Sequence, residues 1–218
     1  MFKYKMEFER VNTKYNTEFT NKLLENKHIF YEIYDACGNT FSEGCGSYLI
    51  DGQTYSYFDS MYEKQELLFK SVKNVKNVLE IGVYVGHSLL IMLLSNPQLK
   101  ITCIDIEDRL ALPAVNVLNK YFNNAITFIH SDSLSALKKM EKKFDFFHID
   151  GHHDNDYITN EFNLIQKLNN RSDNVLRIIF DDQIALLKLQ DDIHAKHNII
   201  NKITPNCIYN NVYFEIQM

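Results

Sequence analysis

The residues best able to do chemistry are His148-Ile149-Asp150-Gly151-His152-His153-Asp154 and the later pair Asp181-Asp182. Each group closes an apolar run, Phe144 to Ile149 in one case and Val175 to Phe180 in the other, that reads as a buried strand. If the two strands are neighbours, their ends lie about 5 Å apart, and Asp150, Asp181 and Asp182 converge. Carboxylates brought together in this way repel and raise one another's pKa. A divalent cation resolves the repulsion, and an all-oxygen set suits Mg²⁺. His153, three residues past Asp150, is a candidate base beside such an ion, because an imidazole titrates near neutral pH. His152 is the alternative base, and a histidine pair that caps the next helix or binds the metal is a further reading. His148, inside the strand, reads as a hydrogen-bonded core residue.

A second chemical stretch lies upstream. The apolar run Asn77 to Ile81 is followed by Gly82, Gly86 and Ser88 and then by an apolar helix from Leu89 to Leu94. This is the strand, tight turn and helix N-terminus with which open α/β sheets hold nucleotide-like ligands. The glycines let the backbone turn sharply and a ligand come close, and Ser88 is expected to cap the helix. Glu80 stands out, because a carboxylate in a buried strand is expensive without a partner. Its presence implies a cationic or hydroxyl-bearing ligand rather than a pyrophosphate. Asp105 ends the next strand, where an acid can bind both ribose hydroxyls, and Asp132-Ser133 follow the third.

These residues require a scaffold of alternating strands and helices. Strands are expected at 77–81, 100–105, 126–130, 144–150 and 175–180, with helices near 61–72, 89–94, 109–122, 134–142, 156–168 and 183–196. Two further strands near 199–203 and 208–216 are joined through Thr204-Pro205-Asn206. The alternation predicts a mostly parallel sheet with helices on both faces, closed by an antiparallel pair. Residues 1–59 form a separate section with a helical pattern over 19–33, a break at Cys37-Gly38-Asn39 and a loop marked by Gly44, Gly46 and Gly52. The tyrosines and phenylalanine at 48, 55, 57, 58 and 62 make it an aromatic cap or a lid over the substrate.

The 218 residues suit one large domain, with 45% hydrophobic and 23% charged residues. A net charge of −5 argues against a nucleic-acid partner. No apolar run approaches the ~20 residues of a membrane span, and the N-terminus has no apolar signal core, so a cytoplasmic protein is expected. Cys37, Cys45, Cys103 and Cys207 lack metal-like pairing and read as free thiols. A homodimer through residues 1–59 is carried as an expectation with no sequence signature.

The segment Leu79-Glu80-Ile81-Gly82-x-Tyr84-x-Gly86-x-Ser88 resembles class I S-adenosylmethionine (SAM)-dependent methyltransferases, and most of all their metal-dependent catechol and caffeoyl-CoA O-methyltransferase branch. The resemblance covers residues 60–218, and it implies a Rossmann-like α/β fold with a seven-stranded, mostly parallel sheet. It implies that Glu80, Gly82, Tyr84 and Ser88 surround the methionine moiety, with Gly86 in the same cofactor-binding turn. It places Asp132 and Ser133 at the adenine. Asp150, Asp181 and Asp182 match positions that hold a metal in such enzymes, with Asp150 also near the cofactor. His153 stands where catechol-type enzymes carry a catalytic Lys and some antibiotic-sugar O-methyltransferases a His, and Asp150 is the other candidate for proton transfer. The implied activity is transfer of a methyl group from SAM, with Mg²⁺, to a hydroxyl of a small sugar or catechol-like diol. A metal-independent methyltransferase and a non-catalytic SAM-binding module are the alternatives. The sequence departs from the pattern where Asn169-Asn170-Arg171-Ser172-Asp173-Asn174 replaces the usual Gly-Gly turn.

Overall fold

The computed structural model describes residues 7–38, 47–51, 56–170, 172–181 and 183–218. Cys45, Gly44, Gly46, Gly52, Tyr55, Arg171 and Asp182 therefore lie outside the described residues. In chain order the elements are α1 (Phe8–Tyr15), α2 (Glu18–Glu25), α3 (Lys27–Ala36), β1 (Ile50–Asp51), β2 (Ser56–Tyr57), α4 (Tyr62–Ser71), β3 (Asn77–Ile81), α5 (His87–Ser95) and β4 (Lys100–Asp105). There follow α6 (Asp108–Tyr121), β5 (Ile126–His130), α7 (Ser133–Lys139), β6 (Phe146–Ile149), α8 (Asn155–Ile165), β7 (Val175–Phe180), α9 (Leu187–Lys196), β8 (Asn198–Ile203) and β9 (Val212–Gln217).

The expected fold class is the observed one. Seven strands form one sheet in the order β5-β4-β3-β6-β7-β9-β8. The five from β3 to β7 pair in parallel, while β9 runs antiparallel to both β7 and β8. Alternate residues of each strand face opposite layers. Val78, Ile101, Cys103 and Phe146 pack towards α5 and α6, and Leu79, Ile104, Phe147 and Ile178 towards residues of α7, α8 and α9. Helix α5 is buried from His87 to Leu94 because it lies between the sheet and α2 and α4; a helix apolar all round needs such cover.

The described part of residues 1–59 packs into the core of the sheet domain. Phe8, Phe19, Leu23, Phe30 and Ile33 belong to the same buried cluster as α5 and α6, and Tyr48, Tyr57 and Tyr62 are buried with them. The single helix expected over 19–33 is two, because Asn26 (φ −109°, ψ 17°) separates α2 from α3. Three other expected spans shorten. The fourth strand begins at Phe146, with Phe144 making only an isolated bridge to Asn169. The helix expected from 183 opens with a 3₁₀ turn, Gln183–Leu186, and the last strand starts at Val212 rather than 208. The Asn-rich turn before β7 is completed by Asn174 in the left-handed region (φ 57°), which Asn tolerates. Cys37 is buried with its thiol donating to the Leu110 carbonyl at 3.5 Å, Cys103 is a buried free thiol, and Cys207 is a half-buried one. Among the described residues no helix is long and apolar enough to cross a membrane.

Candidate active site

The strand order reverses between β3 and β6, since β3 leads outward to β4 and β5 on one side and β6 and β7 follow on the other. At such a reversal the loops after neighbouring strands diverge and leave a crevice at their carboxyl ends. A cleft of about 620 Å³ lies there. It is bordered by the turn Gly82–Val85, by Asp105, by Ser131–Ser133, by Asp150–His153 and by Asp181, so nearly all the expected site residues meet in one place.

Gly82 makes this meeting possible. Its φ is +86°, and a Cβ on it would stand 2.0 Å from the carbonyl oxygen of Asp150. Only a residue without a side chain lets the loop after β3 lie directly on the loop after β6. Gly86, also left-handed (φ 69°), is the N-cap of α5. The helix therefore begins at His87, and Ser88 lies inside its first turn; the expected cap by Ser88 is not made, because the chain enters the helix two residues earlier. His87 is kept neutral by burial, its pKa pushed down to about 3, and it is hydrogen-bonded to the Ser47 hydroxyl at 2.5 Å.

Asp105 holds the glycine turn. Its Oδ2 accepts from the backbone N–H groups of Val83 (2.7 Å) and Tyr84 (3.0 Å), and Oδ1 accepts from Glu107 N–H (2.9 Å). A carboxylate has about four acceptor positions, so Asp105 keeps capacity towards the cleft. Asp132 caps α7 through Ser135 N–H (2.8 Å) and accepts from the Tyr157 hydroxyl. These bonds, Tyr157 first, hold its carboxyl below the usual range. Ser133 donates to Glu161, a carboxylate on α8 with no exposed surface whose other oxygen, Oε2, has no hydrogen-bond partner among the described residues. Burial raises the Glu161 pKa to about 7.

Glu80 lies at the carboxyl end of β3. It is fully buried beneath the cleft, and its Oε1 pairs with His148 Nδ1 at 2.8 Å, directly across the β3–β6 register. One oxygen of the carboxylate thus has a partner inside the protein, while Oε2 has no hydrogen-bond partner among the described residues. His148 is the hydrogen-bonded core residue expected, and its Nε2 lies 2.9 Å from the Tyr48 hydroxyl. Burial, then the charges of Asp181 and Asp150, raise Tyr48 well above its ordinary pKa. Tyr48 therefore keeps its proton, and its hydroxyl, hydrogen-bonded with His148 Nε2, also lies 3.5 Å from Asp181 Oδ1.

Strands β6 and β7 are neighbours, so Asp150 and Asp181 converge as expected. Asp150 is raised well above the usual carboxylate range, first by burial and then by the charge of Asp181, to which it is hydrogen-bonded. The neutralising group is one the sequence reading missed. Lys64 of α4, with a side chain only 1% exposed, sets Nζ 2.6 Å from Oδ1 and 2.7 Å from Oδ2 of Asp181. A magnesium ion does not fit this arrangement: it needs carboxylate oxygen at about 2.0–2.1 Å, where both oxygens of Asp181 face the ammonium. Among the described residues no group of three or more His, Cys, Asp or Glu side chains is placed to hold a metal ion. His152 and His153 are exposed at the cleft mouth, where His152 stacks on Tyr157 with centroids 4.5 Å apart and accepts from Asp154 N–H.

Lys64 and Glu161 share a signal that sequence reading could have used. Lys64 lies between Met61 and Leu68 at helical spacings of three and four, and Glu161 between Ile158 and Ile165 at the same spacings. A charged residue in the apolar stripe of a helix is buried unless the helix rotates.

A family model described as O-methyltransferase matches residues 61–179. A curated Arabidopsis thaliana protein described as a caffeoyl-CoA O-methyltransferase is 39% identical over 80 residues, 34% of this chain and 34% of that protein. The chain thus aligns with about a third of that relative's length. Among solved structures, an O-methyltransferase from Bacillus cereus in complex with S-adenosylhomocysteine (SAH) superposes with a TM-score of 0.65 at 14% identity, over 88% of this chain and 91% of that one. TomG, an O-methyltransferase from Streptomyces achromogenes in complex with SAM, gives 0.60 at 15% identity over 71% and 79%.

Proposed function

The chain belongs to the O-methyltransferase family, and from that premise we propose that it transfers the methyl group of SAM to a hydroxyl of a small molecule. The observation that carries this reading is the cleft at the β3–β6 reversal, where a glycine turn, an acid ending β4 and an acid with a serine after β5 line up in sequence. The methionine end of the cofactor lies over Gly82, Tyr84, Gly86 and Ser88, the ribose at Asp105, and the adenine by Asp132 and Ser133. SAM supplies an electrophilic sulfonium methyl. The protein's part is to hold the acceptor hydroxyl in line with it, exclude water and take up the proton.

His153, at the mouth of the cleft, is the base in this reading, and Asp150 the group below it that orients the acceptor. The substrate class is a sugar or catechol-like diol. The Mg²⁺ expected on Asp150, Asp181 and Asp182 forms no part of the reading, because Lys64 occupies Asp181. The metal-independent form of the activity is favoured by that ion pair.

Methyl-labelled SAM offered with a panel of catechols and sugars tests the proposal. Label should pass to a hydroxyl, and His153→Ala should lower turnover by about 10²–10⁴-fold. SAH binding without transfer to any acceptor would instead identify a non-catalytic SAM-binding module.

A further inference from the structure

Lys64 is a cation that borders the cleft with a side chain only 1% exposed. Its stem rises from α4, and Nζ lies on both oxygens of Asp181 at the end of β7. The same nitrogen donates to the backbone carbonyl of Tyr209 at 3.0 Å, in the loop between β8 and β9. The ring of Tyr48 lies 4.4 Å away by its centroid, close enough for a cation–π contact. An ammonium has three N–H donors and no acceptor; two carboxylate oxygens and one carbonyl use all three. A lysine this buried is retained only with its charge matched. Asp181 matches it, and the pair ties α4, β7, the β8–β9 loop and residue 48 into one wall of the cleft.

We infer that Lys64 is the resident cation of this site: it takes the place of a divalent ion at Asp181 and excludes one from it. The consequence for the reaction rests on the methyltransferase reading above, while the exclusion itself does not. Lys64 acts as a positioning residue, because its donors are spent on the protein. It fixes the Asp181 carboxylate, against which Asp150 and the Tyr48 hydroxyl are set.

The exclusion is measured by titrating Mn²⁺ into the purified protein and following free Mn²⁺ by electron paramagnetic resonance. Wild type should bind no stoichiometric Mn²⁺ that Asp181→Asn removes. Lys64→Met keeps most of the buried stem and deletes the charge, so it should bind Mn²⁺ about tenfold or more tightly than wild type. Adding Asp181→Asn to Lys64→Met should abolish the gain. Stoichiometric Mn²⁺ binding by wild type that is lost in Asp181→Asn would overturn the inference. So would a folded Lys64→Met protein that gains no affinity. Should Lys64→Met fail to fold, wild type and Asp181→Asn decide the exclusion between them. SAH titrated into the same samples reports on the methyltransferase cleft separately: no SAH binding would count against that reading and leave the Mn²⁺ result standing.

Discussion

Replacing Glu161 by Gln should change how the stability of this protein depends on pH. Glu161 has no exposed surface, accepts from Ser133 on one oxygen and has no described partner on the other. Desolvation raises its pKa from 4.5 to about 7, and the nearby Asp132 charge adds to the rise. The folded protein therefore keeps the proton at pH values where the unfolded chain has lost it. The stabilisation this provides is complete below about pH 4.5 and disappears as pH rises to about 7. A rise of that size corresponds to about 3 kcal/mol, of which about 2.5 kcal/mol falls between pH 5 and pH 8. Glutamine keeps the volume and the acceptor for Ser133 but cannot ionise. Urea unfolding at pH 5 and pH 8 isolates the effect, since every other titrating group is shared by the two proteins. Wild type should lose about 2–3 kcal/mol relative to Glu161→Gln over that interval. Parallel pH profiles for the two proteins would refute the reasoning, because they would mean that Glu161 ionises in the folded state as freely as in the unfolded chain.

Two further substitutions test the framework of the cleft. Gly82→Ala places a Cβ 2.0 Å from the Asp150 carbonyl oxygen at a positive φ, so it should destabilise by about 2–4 kcal/mol; an unchanged urea midpoint would contradict the close approach of the two loops. His148→Ala leaves the Glu80 carboxylate buried without its partner and should cost about 3–5 kcal/mol. A loss below about 1 kcal/mol on the same assay would mean that water or another group already serves Glu80.

The scaffold was legible wherever a strand ended in an acid. Asp105, Asp132, Asp150 and Asp181 all border the cleft because parallel strands point their carboxyl ends the same way, and apolar runs bounded by acids mark those ends. The helix Leu89 to Leu94 was visible in its unbroken apolar run, but its start was misplaced, because a left-handed Gly86 can cap a helix without a side chain. Glu80 was rightly identified as needing a partner. That the partner is His148 depends on the β3–β6 register, which no local pattern specifies. Lys64 was hidden for a related reason. Its burial followed from helical spacing, but its pairing with Asp181, 117 residues away in sequence, required knowing that α4 packs beside the end of β7. Tyr48 likewise reads as one tyrosine among several until the fold brings it to His148.

The central claim, that the cleft at the strand reversal holds the SAM nucleoside and methionine, is tested most directly by calorimetric titration with SAH. SAH carries every binding feature but the transferred methyl, and it requires no knowledge of the acceptor. The account predicts one site per chain with micromolar affinity, lost in Asp105→Ala when that variant remains folded. Absence of SAH binding to the folded wild-type protein would contradict it.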